Sequence, residues 1–198
     1  MVSSDMHFEA VGFNEKNYNR DLILNMINLC IESGDNIMAM GNLQFGLNMY
    51  PDYHEFQNLM GYILTNEGNH EEALEWLLKV EPKISELEDD VTTIFDKIDN
   101  WICLAICYLN LKNESEALFH LNKLINYYGE LKVYTIAHAL YERSMIYLSN
   151  KLYTHAGEDL NQSKKILDEI KIRTDFEDPL FLFDNIQNTL KTISFKVN

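Results

Sequence analysis

The stretch Trp101-Ile102-Cys103-Leu104-Ala105-Ile106-Cys107-Tyr108, continued by Ala117, Leu121 and Leu124, decides the fold. With Trp101 fourth in a 34-residue unit, Leu104 falls seventh, Ala105 eighth, Tyr108 eleventh and Ala117 twentieth. The frame recurs. Residues 54–87 hold Gly61 eighth, Gly68 at the turn, Ala73 twentieth and Leu77 twenty-fourth. Residues 20–53 hold Gly34 at the turn, Ala39 twentieth, Gly46 twenty-seventh and Pro51 thirty-second. A fourth unit, 137–170, carries Ser144, Tyr147, Ala156, Leu160 and Ser163 in the corresponding slots. Small residues at positions eight and twenty let two antiparallel helices approach, and large ones at four, seven, eleven and twenty-four fill the space around them. A proline near position thirty-two stops the second helix. Each pair leaves an apolar face uncovered, so neighbouring pairs must stack.

This pattern resembles the tetratricopeptide repeat. Two departures stand out: only 98–131 keeps the tryptophan, and Pro82 comes three places early in 54–87. The resemblance implies an all-α fold, a right-handed superhelix of about four helix–turn–helix repeats with a C-terminal capping helix. Composition agrees. Of 198 residues, 46% are apolar and 12% aromatic, which excludes wholesale disorder. Three prolines and eight glycines are too few turn residues for a many-stranded sandwich or barrel.

Net charge is -15, from 16 Lys and Arg against 31 Asp and Glu. That sign opposes binding to a nucleic-acid backbone or an anionic membrane surface. No apolar run reaches the ~18 residues a membrane span needs. The first residues, MVSSDMHFEA, show neither a basic nor an apolar leader segment. Three sparse cysteines fit a reducing compartment, so the expected location is cytoplasmic.

Three stretches lie outside the repeats. Residues 1–19 read as a polar lead-in to a solenoid over 20–175. An insertion at 88–97 is expected to extend the first helix of the third repeat by about two turns, with Asp89 or Asp90 as its cap. Residues 176–198 read as an amphipathic helix. Asp178 is its N-cap and Pro179 its first position, and Leu180, Phe183, Ile186, Leu190, Ile193 and Val197 form its apolar stripe. Phe181 and Phe195 lie off that stripe.

No catalytic, metal-ligating or cofactor-binding constellation is visible. Gly-rich phosphate loops, a Gly-x-Ser-x-Gly elbow and His-Glu-x-x-His are all missing from the sequence. Cys103 and Cys107 share a helical face but have no second ligand pair, so they read as buried thiols, as does Cys30. The acidic clusters Glu71-Glu72 and Glu86 through Asp90 sit at helix starts, where they complement the helix dipole. Met38, Met40 and Met49 read as core filler.

In the repeat class this chain resembles, positions two, five, six, nine, twelve and thirteen point into a concave groove. Carried over residue by residue, the groove is lined by Leu24, Asn28, Ile31, Asn58, Tyr62, Asn66, Ile102, Ile106, Leu109, His138, Tyr141, Met145 and Leu148. Some family members use a cationic clamp to grip the C-terminal carboxylate of heat-shock chaperones. Here no cation occupies those slots, and Asp21, Glu55, Asp99 and Glu142 would repel a carboxylate. The groove floor is apolar enough to demand a cover. Candidate covers are a partner segment with basic flanks or the chain's own C-terminal helix, with capping of the fourth repeat the favoured role for that helix. The expected function is therefore a non-enzymatic protein-interaction module, an adaptor or chaperone. The alternatives are a bacterial secretion chaperone, or a homodimeric assembly subunit that uses the insertion and the C-terminal helix as its interface.

Overall fold

The computed structural model describes residues 15–173 and 182–197. Among them are nine α-helices and no strand: α1 (Glu15–Glu32), α2 (Asn36–Met49), α3 (His54–Asn66), α4 (His70–Ser85), α5 (Val91–Asn110), α6 (Glu114–Tyr128), α7 (Tyr134–Ser149), α8 (Tyr153–Arg173) and α9 (Leu182–Val197). The first eight form four helix–turn–helix pairs. The chain divides into two compact units, Met1–Met60 and Gly61–Asn198.

All four pairs turn in the same way. The residue at position fifteen has a positive φ each time: Gly34 at 75°, Gly68 at 82°, Lys112 at 61° and Lys151 at 60°. The next residue's N–H donates to the carbonyl at position eleven: Asp35 to Cys30, Asn69 to Leu64, Asn113 to Tyr108 and Leu152 to Tyr147, at 2.8–2.9 Å. Position fifteen donates to position twelve. This double closure satisfies carbonyls left over at a helix end and reverses the chain. Position sixteen then starts the second helix. Asp35 accepts from the Met38 N–H at 3.0 Å, and Asn113 accepts from Glu116. The fourth pair, the faintest in sequence, shares the positive φ and both closing bonds, with Leu152 in place of the capping residue.

Within each pair the small residues sit where the helices close. Ala39, Ala73, Ala117 and Ala156, all at position twenty, are fully buried. A Cβ on Gly61 would lie 2.5 Å from Leu77 Cγ, and, between the first pair and α3, one on Gly46 would lie 2.8 Å from the Phe56 ring. The second unit's core runs through Leu77, Val80 and Ile84 of α4, Ile98 and Leu104 of α5, Leu121 and Leu124 of α6, Leu140 of α7, and Leu160 of α8.

Two expectations are corrected in detail, and the one for the insertion is met. The first helix starts at Glu15, inside the stretch read as lead-in; residues 1–14 lie outside the described part. Pro82 does not stop α4, which runs on to Ser85 and buries Ile84. Pro82 and Leu78, whose carbonyl loses its donor, are both on the exposed side. At the insertion, α5 starts at Val91 with Asp90 as N-cap. Asp90 accepts from the Thr93 N–H and Thr93 Oγ1 accepts from the Asp90 N–H, both at 2.8 Å.

The helix α9 packs against α8 and, at its edge, α7. α7 itself packs against α6 and, at its edge, α5. So α9 takes the place of the first helix of a further repeat, and it covers the last pair. Leu182, Ile186 and Ile193 are its buried residues, while Phe183 and Leu190 are half-buried. The expected cap Asp178 with Pro179, and the side chains of Leu180, Phe181, Phe195 and Val197, lie outside the described residues.

Candidate functional site

In the second compact unit three first helices lie side by side. The buried Thr65 hydroxyl of α3 is 3.3 Å from the Cys107 Sγ of α5, and α5 touches α7. The second helices back them. Asn100 of α5 donates to the Leu77 carbonyl of α4 at 3.2 Å, and Ser163 of α8 donates to the Ala137 carbonyl of α7 at 2.6 Å. The side of α3, α5 and α7 away from those helices is the surface on which the expected groove residues of this unit are to be judged.

Their exposure divides them. Tyr62, Ile106, Leu109, His138, Tyr141 and Leu148 are half-buried, and Asn66 and Met145 are exposed. Ile102 is 5% exposed and adds little surface, because α5 is flanked by neighbouring helices on both sides. In the first compact unit Leu24 and Ile31 are half-buried and Asn28 is exposed, whereas Asn58 is only 5% exposed. The apolar floor is thus mostly shielded by its own packing. Of the apolar candidates, only Met145 is open to solvent.

Charge on this side of the second unit is negative. Asp96 and Asp99 lie one turn apart on α5. Burial, reinforced by the repulsion of Asp90 on Asp96 and of Asp96 on Asp99, pushes each carboxyl up to about 6. Glu142 is engaged: His138 Nε2 lies 3.2 Å from its Oε1. Burial, with Glu142 beside it, raises the Tyr141 phenol.

The other titratable groups serve the packing. Burial raises the thiols of Cys103 and Cys107, and all three cysteines are free. Protonated, buried thiols are poor ligands and nucleophiles. Lys97 Nζ donates to the Leu87 carbonyl at 2.7 Å and to Asp89 at 2.6 Å, and Tyr128 Oη donates to the same carboxylate. These bonds tie the loop before α5 to α6. His120 is stacked between Tyr108 and the edge of Phe119, with Glu81 3.8 Å away, and burial lowers its pKa.

Sequence reading missed two features. Arg143 occupies position seven of the fourth repeat, where the third has Leu104. It forms a two-pronged pair with Asp159 at 2.7 Å for both contacts and donates to Asn122 at 2.8 Å. The other feature is the first pair's surface. Met38 and Met49, expected in the core, are exposed, and Met40 is half-buried. The signal was present: α2, from Asn36 to Met49, has no charged residue.

Residues 54–81 match the tetratricopeptide repeat family. The match covers α3 and α4 as far as Glu81, so the second pair is similar to a tetratricopeptide repeat, and the other three pairs share its turn. Among curated proteins no match to the chain is found. Stacked tetratricopeptide repeats are protein-binding scaffolds in which first helices supply the binding face. Among the described residues no helix is long and apolar enough to cross a membrane.

Proposed function

We propose that this chain is a cytoplasmic, non-enzymatic adaptor or chaperone that holds a segment of a partner protein across the first helices α3, α5 and α7. Tyr62, Ile106, Leu109, Tyr141, Met145 and Leu148 supply apolar contacts, and Asn66 and His138 supply polar ones. Leu24, Asn28 and Ile31 occupy the same slots on α1, Ile102 supports the surface from beneath, and Asn58 is buried within the first unit. The carrying observation is the row of half-buried apolar side chains on α3, α5 and α7, beside which Asp96 and Asp99 lie one turn apart on α5 and repel one another. A lysine or arginine flanking the bound segment relieves that repulsion, so the preferred ligand is apolar with basic flanks.

The test is selection of peptides from a random library on the wild-type protein. Enriched peptides are expected to carry an apolar centre with flanking Lys or Arg. They should bind the Ile106→Glu/Met145→Glu variant at least tenfold more weakly while its helical circular dichroism is unchanged. Failure to enrich any peptide, or equal binding by the variant, rejects the reading. The alternative, a homodimer formed through the insertion and α9, is favoured by Val91 and Phe95, which stand exposed one turn apart on α5.

A further inference from the structure

We infer that the first helix pair carries a self-association surface, and that its occupant is a second copy of this chain. The inference is independent of groove binding. Positions three, seven and ten of a first helix face the preceding pair. Phe56, at position three of α3, lies against Gly46 of α2. Asn100 reaches α4, Cys107 reaches α3 and Arg143 reaches Asn122 of α6. Accordingly Phe56, Met60 and Ile63 are buried, as are Asn100, Leu104 and Cys107, and then Ala139 and Ile146.

On α1 the same three positions are Leu22, Met26 and Leu29, and they are exposed. Position seven meets position twenty-three of its own pair, as Arg143 meets Asp159. That links this row, across Asn42, to a second row on α2: Met38, Phe45 and Met49. The second repeat has Glu72, Lys79 and Lys83 at those positions. All six apolar side chains are 45–64% exposed. The first pair therefore presents, bare, the first-helix row that later pairs bury, and beside it an apolar row on α2 where the second repeat carries charges.

Charge, width and area choose the occupant. The chain carries net charge -15, so two copies repel over most of their surface. Leu22 to Ile31 and the whole of α2 contain no charged residue, so here the repulsion is least. The two rows lie on separate helices, whose axes pack ~8–10 Å apart, and a single short helix covers only one of them. A second helix pair, supplied by the same face of another copy, covers both. Covering all six side chains on two copies buries on the order of 1,200 Å², the lower bound for a specific interface. Three methionines give the face the adaptability to pack against itself.

Sedimentation equilibrium of the full chain at micromolar concentration tests this. The expected mass is that of a dimer. Met26→Glu/Phe45→Glu should weaken association tenfold or more, whereas Phe119→Glu, on the exposed side of α6, should leave it unchanged. Amide exchange of the unaltered chain is the second readout, which holds even if the double variant misfolds: protection of α1 and α2 should rise with protein concentration while that of α8 stays constant. A monomer at every concentration overturns the inference, as does a dimer that survives the double substitution in folded form. A chain that dimerises only once residues 1–14 are removed also overturns it, because the occupant is then the chain's own N-terminal segment.

Discussion

Gly61 and Gly68 show one residue type answering two demands. Gly61 is small because Leu77 leaves no room: an added Cβ would sit 2.5 Å from two of its carbons. Gly68 has open space but a φ of 82°, a conformation that costs a side chain roughly 1–2 kcal/mol. Gly61→Ala should therefore cost about 2–3 kcal/mol in urea unfolding through overpacking, and Gly68→Ala about 1 kcal/mol through backbone strain. Lys112, at the same position as Gly68 with φ 61°, predicts the reverse sign: Lys112→Gly should stabilise, by up to about 1 kcal/mol. Asp99 yields a pH prediction. Its folded pKa of about 6 lies above the unfolded value, so the folded state binds the proton more tightly and stability falls as pH rises through 6. Asp99→Asn should raise stability by about 2–3 kcal/mol at neutral pH, by about half as much near pH 5, and have almost no effect near pH 3, read from urea unfolding at the three values.

Among the elements, α7 and α8 are joined differently from the other pairs, by a charge where position seven of the third repeat has a leucine. Arg143 and Asp159 are largely removed from water, with side-chain exposures of 14% and 7%. Removing one partner leaves a buried charge alone. Arg143→Leu should cost about 3–5 kcal/mol, while adding Asp159→Leu should restore most of that loss. A double-mutant cycle in urea gives the coupling directly. The helix α9 closes the same end of the second unit with Leu182, Ile186 and Ile193. A chain ending at Arg173 should lose about 5 kcal/mol of that unit's stability, at roughly 1.5–3 kcal/mol per buried aliphatic side chain. Amide exchange should place the loss on α7 and α8.

For the whole molecule, net charge -15 sets opposite salt responses for its two surfaces. Partner binding beside Asp96 and Asp99 gains from attraction to basic flanks and should weaken severalfold as salt is raised. Self-association through the uncharged first pair works against repulsion between copies and should tighten over the same range. Titrating salt in peptide-binding and sedimentation experiments on the same preparation separates the two surfaces without mutation.

The sequence determined what is local. The spacing of Trp101, Leu104, Ala105, Tyr108 and Ala117 implies a helix pair, because small and large residues must alternate where two helices close. Gly34 and Gly68 mark two turns, since glycine adopts positive φ without cost. Lys112 and Lys151 hide the other two, and only the folded backbone shows that all four turns are alike. Exposure was not legible. The expected groove residues Ile102 and Asn58 are buried and Met38 and Met49 are open, because burial depends on whether a neighbouring helix is present and not on a residue's own character. The tertiary structure also decided the partners of the charges. Arg143 finds Asp159 sixteen residues on and Asn122 twenty-one residues back, and Lys97 and Tyr128 converge on Asp89. A periodic sequence repeats a face in every pair, but only stacking decides which copies of that face are covered, and α1 is left with its copy open.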